Sequence, residues 1–208
     1  MRRLILILLM LAVPATAQTT DALWISLMNG NRVYVAGSVT FDHLAELRHE
    51  SAPHQHPAVT VLSCSDSRVP PELVFDKSID ELFVIRVAGN IAGPYDLASI
   101  EYAIVSGYTK LIVVLGHQEC GAVRAALDAK DPPSPNLLAL VTEIRKSFSG
   151  ARSLDPATVK RSVQENAKAS AAALQAQSKI IRDAVKSGKV GLIVAYYNLE
   201  TGQVTRMP

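Results

Sequence analysis

Past the first 17 residues, four stretches are largely apolar without alternation: residues 59–62, 82–87, 111–115 and 190–197. Val59-Thr60-Val61-Leu62 and Leu111-Ile112-Val113-Val114-Leu115 are the clearest, β-branched and uncharged. Such runs predict strands covered on both faces, as in a parallel sheet. Between them the apolar positions recur at helical spacing. Pro94 opens a helix reaching Ser106, with Leu97, Ile100 and Ile104 inward. A second begins near Cys120 and carries Val123, Ala126 and Leu127, and Leu137, Leu140, Val141 and Ile144 define a third. Asp155 caps and Pro156 opens a long one, in which Val159, Val163, Ala167, Leu174, Ile181 and Val185 recur until Gly188. Towards the N-terminus, residues 21–29 predict a short amphipathic helix through Trp24, Leu27 and Met28 that ends at Gly30, and residues 40–49 a second one with Leu44 and Leu47 on one side. Residues 69–72 predict a helical turn, and residues 198–202 a polar turn after the last strand. Strands alternating with helices give an α/β domain, a mainly parallel sheet flanked by helices with right-handed crossovers.

The first 17 residues stand apart from this pattern. Arg2 and Arg3, the apolar run 4–13 and Ala15-Thr16-Ala17 have the order of a secretory signal cleaved after Ala17. Ten apolar residues fall short of the ~20 that cross a bilayer. The expectation is therefore a signal peptide at 1–17, a single domain at 18–208, no membrane association after cleavage, and a periplasmic or secreted location. Losing Arg2 and Arg3 takes the formal net charge from +2 to zero, which gives no electrostatic reason to expect nucleic acid as partner.

The chain has two cysteines, and each follows a predicted strand: Cys64 after the first, Cys120 shortly after the third. In an open parallel sheet ligands collect beyond the carboxyl ends of strands, where the winding direction changes. Two such ends side by side would bring Cys64, His117 and Cys120 together. Three N/S donors suit Zn²⁺ with one position left open, the arrangement of a catalytic zinc. Asp66, two residues past Cys64, can reach that position or a water in it, and Arg68 is spaced to hold Asp66 off by a bidentate pair. His43, His49, His54 and His56 lie at no strand end and read as solvated. Two cysteines in an exported chain also fit one disulfide, but a staple leaves His117, Asp66 and Arg68 unexplained.

Cys64-Ser65-Asp66-Ser67-Arg68 with Val69 and Pro70, Ala88-Gly89-Asn90, and Gly116-His117-Gln118-Glu119-Cys120-Gly121 match the β-class carbonic anhydrases in order and spacing. The chain resembles that family, in its exported bacterial type, from about Gly30 to the last strand. The resemblance implies reversible hydration of CO2 to bicarbonate and a proton by zinc-bound hydroxide, a carbonate dehydratase. It implies Cys64, His117 and Cys120 as zinc ligands, Asp66 as alternative fourth ligand and catalytic partner, Arg68 as its clamp, and Gln55 and Gly121 as substrate-binding residues. It further implies a homodimer or higher homo-oligomer in which N-terminal helices extend onto the partner. Hydrolysis of CS2 or COS on the same scaffold, and a zinc-holding structural domain without turnover, are the other readings; intact Asp66 and Arg68 argue against the last.

Overall fold

The computed structural model describes residues 15–130 and 132–208. The leader read at 1–17 lies outside the described residues except for its last three, which begin the first helix. Five strands form one sheet: β1 Val59–Ser63, β2 Leu82–Arg86, β3 Leu111–His117, β4 Gly191–Tyr197 and β5 Val204–Arg206. Their order is β2-β1-β3-β4-β5, with the first four parallel and β5 antiparallel to β4. Every residue of β1 and β3 is buried, which accounts for their unbroken apolar sequence.

Helices cover both faces. On one lie α1 Ala15–Val35 and the single turn α3 Pro71–Val74, where Trp24 and Leu27 pack on Val61, Val113, Leu115 and Ile193. On the other lie α4 Pro94–Val105, α7 Pro156–Gln177 and α8 Lys179–Lys186, whose Ile100, Ala167, Leu174 and Ile181 cover Leu62, Ile112 and Val114. A third cluster, with Val123 and Ile144 from α5 Gly121–Leu127 and α6 Pro135–Arg145, surrounds Cys64 and Cys120. α2 Leu44–Ser51 buries no residue.

Three sequence expectations are corrected. α1 does not stop at Gly30 but runs on to Val35; the glycine marks instead where the helix meets the Phe75 backbone, at a distance no side chain allows. The long helix from Pro156 is two helices. Ser178 takes an extended conformation between them, accepts from the Ile181 N–H and donates to Glu101 on α4, so α8 turns back over α4 while Ile181 stays in the core. Finally, the polar turn after β4 leads into β5, three residues long, which closes the sheet edge.

Candidate metal centre

β1 and β3 are direct neighbours, with Ser63 opposite Leu115, while the chain leaves β1 towards β2 on the other side. Their carboxyl ends therefore open together at the point where strand order reverses. Cys64 is the first residue beyond β1, His117 ends β3, and Cys120 caps the N-terminus of α5. All three are buried, and their donor atoms lie within 4.8 Å of one another. The two sulfurs stand 3.9 Å apart, as free thiols. A disulfide needs ~2.05 Å. Two thiolates on one tetrahedral zinc, each at ~2.3 Å, are separated by about 3.8 Å.

The imidazole supports the same reading. His117 Nδ1 donates to the Gln118 carbonyl at 2.9 Å, which leaves the Nε2 lone pair free. Nε2 is fully buried and has no hydrogen-bond partner. A buried acceptor without a partner costs on the order of 1–3 kcal/mol, so the fold keeps it for a ligand. Two soft thiolates and one neutral imidazole are the donor set zinc prefers.

The Cys120 thiol beside it brings the Cys64 thiol below the usual thiol range; burial opposes this, and contacts with His117 and the Gly89 N–H assist it. Cys120 is pushed up by Cys64 and by burial, which outweigh the Val123 and Ala122 N–H groups at the start of α5.

Asp66 and Arg68 form the bidentate pair that their spacing predicts. Arg68 Nε donates to Oδ1 at 2.9 Å and a terminal nitrogen donates to Oδ2 at 2.7 Å, with the Arg68 backbone N–H also on Oδ1. The Arg68 hydrogen bonds hold the Asp66 carboxyl well below the usual carboxylate range, against a smaller penalty from burial. Oδ2 lies 3.9 Å from His117 Nε2, so the carboxylate borders the position where an ion would sit. Arg86 fixes the loop between, donating to the carbonyls of Cys64 and Asp66. Gly89, at φ 72°, donates its N–H to Cys64 Sγ at 3.3 Å, and Asn166 on α7 holds the Gly89 carbonyl. That left-handed conformation is one a glycine adopts without steric cost.

Gly121 is exposed beside Cys120, with open space where a side chain would be. Gln55 is not brought to this centre within one chain. It lies exposed with Ala58 and Lys110 at the amino end of β1 and β3, the opposite end of the sheet. His43, His49, His54 and His56 are all exposed, as expected of solvated residues. Arg86 and Asn166 were missed because their partners are backbone carbonyls, which leave no mark in the spacing of side chains.

The family model for carbonic anhydrase matches residues 59–204. Carbonic anhydrase 2 of Mycobacterium tuberculosis is 34% identical over 190 residues, covering 88% of this chain and 90% of that protein. The carbonic anhydrase of Mycolicibacterium smegmatis is 34% identical over 187 residues, covering 88% and 91%. Among solved structures, the β-carbonic anhydrase CcaA superposes with a TM-score of 0.69 at 26% identity, over 91% of this chain and 87% of that one. A tetrameric β-carbonic anhydrase of Sordaria macrospora shares the fold, with a TM-score of 0.67 at 22% identity over 92% and 94%.

Proposed function

The chain belongs to the β-class carbonic anhydrases, enzymes that interconvert CO2 and bicarbonate, and from that premise we propose that Cys64, His117 and Cys120 hold a catalytic zinc ion. The observation that carries this is His117 Nε2, buried and without a partner while Nδ1 has one. When bound, zinc supplies the Lewis acidity that lets water ionise near neutral pH. The chain's own residues complete the site. Two thiolates and an imidazole cancel the charge of the ion, and the Gly89 N–H draws density from Cys64, offsetting part of the electron donation that weakens such a centre. Asp66, kept ionised, accepts a hydrogen bond from the reacting water at Oδ2 and orients it. Arg68 takes both carboxylate oxygens and so keeps Asp66 turned away from the ion. The space beside Gly121 admits CO2. The proton released with bicarbonate passes to buffer.

We further propose an exported homodimer. The unburied α2 gives the partner a surface, and Gln55, remote from its own centre, reaches substrate only in that of a second copy. One preparation tests the proposal: mature chain beginning at Gln18, sedimenting as a dimer or larger, with one zinc per chain and rapid CO2 hydration by stopped flow. Chelation should remove the activity and zinc restore it. Full activity after complete removal of zinc would overturn the assignment of the centre, and a monomer would overturn the role of Gln55.

A further inference from the structure

Between the ligands His117 and Cys120 stands a residue that neither the donor set nor the proposed chemistry uses. Gln118 commits every polar group it has. Its backbone N–H donates to the Tyr197 carbonyl at 2.8 Å, prolonging the β3–β4 ladder. Its side-chain Oε1 accepts from the Leu199 N–H and its Nε2 donates to Glu200 Oε1, both at 3.0 Å. Its carbonyl accepts from His117 Nδ1 at 2.9 Å. The turn that holds the side chain is itself firmly built. Asn198 Oδ1 accepts from the Glu200 and Thr201 N–H groups, and buried Asn31 of α1 bonds Gly202 and Val204.

The carbonyl of Gln118 leads directly into Glu119, whose φ is 51°. A residue bearing a side chain adopts that left-handed conformation at a cost on the order of 1 kcal/mol. The contacts from Tyr197, Leu199 and Glu200, all outside the segment, hold Gln118 and with it the carbonyl that precedes this strained residue. We propose that Gln118 is a positioning residue for His117: the β4–β5 turn clamps it, and its clamped carbonyl fixes the plane and tautomer of the imidazole so that Nε2 faces the two sulfurs. The proposal rests on the zinc reading above and deepens it. Partners that orient a metal-ligating histidine are typically worth about 10–100-fold in metal affinity.

The test measures zinc affinity by competition with a chelator, and the ligand-field absorption of the Co²⁺-substituted enzyme, on the intact protein. Gln118→Ala should weaken zinc binding by about tenfold and shift the cobalt bands. Gln118→Glu should do the same, because two carboxylates then face each other. The pair Gln118→Glu with Glu200→Gln, which restores one donor and one acceptor at unchanged net charge, should recover near-native affinity. This pair keeps the test usable if Gln118→Ala fails to fold. A residue that merely ties down the turn would lower melting temperature and leave affinity and cobalt spectrum as they were; that result, or absence of rescue, overturns the proposal. His117→Ala serves as control. Weaker zinc binding there with none in the Gln118 variants defeats only the role of Gln118, whereas no weakening there defeats the zinc centre itself.

Discussion

Replacing Asp66 by asparagine is expected to slow CO2 hydration by about a hundredfold to a thousandfold with zinc content unchanged. The substitution preserves shape and alters two things. Asparagine keeps one oxygen, so the bidentate contact with Arg68 at 2.9 and 2.7 Å is reduced to one hydrogen bond. The carboxylate charge beside the proposed metal position, held in place by that contact, also disappears. Arg68→Ala should be comparably slow for a different reason. Even while clamped the carboxylate lies only 3.9 Å from His117 Nε2, and once released it should swing into the open position of the proposed zinc. The clamp can matter only while there is a carboxylate to restrain, so the double variant should be little worse than Asp66→Asn alone. Stopped-flow rates and metal analysis on the four proteins decide this. Losses that multiply in the double variant would show two independent roles, and Asp66→Asn retaining half the native rate would remove Asp66 from the mechanism.

The centre was readable in the sequence because its parts are coupled to strong local signals. β1 and β3 are covered on both faces, so their apolar runs are unbroken and their ends abrupt. The only two cysteines fall just past those ends, and parallel pairing does the rest. Asp66 and Arg68 were legible for a similar reason: a contact two residues apart is set by local geometry. What escaped was long-range. Asn166 reaches the Gly89 carbonyl across 77 positions, and nothing in its surroundings on α7 distinguishes it from a helix-face amide. Ser178 breaks an apolar periodicity that continues on either side, because the break serves the packing of α8 on α4 rather than a change of hydrophobic face. At three residues β5 is too short to show a period at all. Gln55, an exposed loop residue, carries no local signal, and its proposed role lies in another copy.

Gly30→Ala is expected to destabilise the fold, and it opposes two effects of known size. Inside an exposed helix, alanine in place of glycine gains about 1 kcal/mol. At this position a Cβ would stand 1.7 Å from the Phe75 carbonyl oxygen and 2.6 Å from its carbon, both backbone atoms that no rotamer change can move aside. An ordinary carbon–oxygen contact is ~3.3 Å, so α1 would have to withdraw by roughly 1.5 Å. The next residue, Asn31, is 5% exposed and bonds Val74 O at 3.0 Å, Gly202 O at 2.9 Å and Val204 N at 2.9 Å. A shift of that size breaks these bonds and leaves buried groups unpaired at about 1–3 kcal/mol each. Overpacking therefore outweighs helix propensity, with a net loss of about 3 kcal/mol and a melting temperature roughly 6–12 °C lower. Asn31→Ala removes the same bonds, so combining it with Gly30→Ala should lower the melting temperature by less than the two single changes together. Calorimetry reads both. A Gly30→Ala protein that melts at or above the native temperature would mean that α1 does not rest on Phe75 in solution, as would hold if the helix packed elsewhere in the assembly.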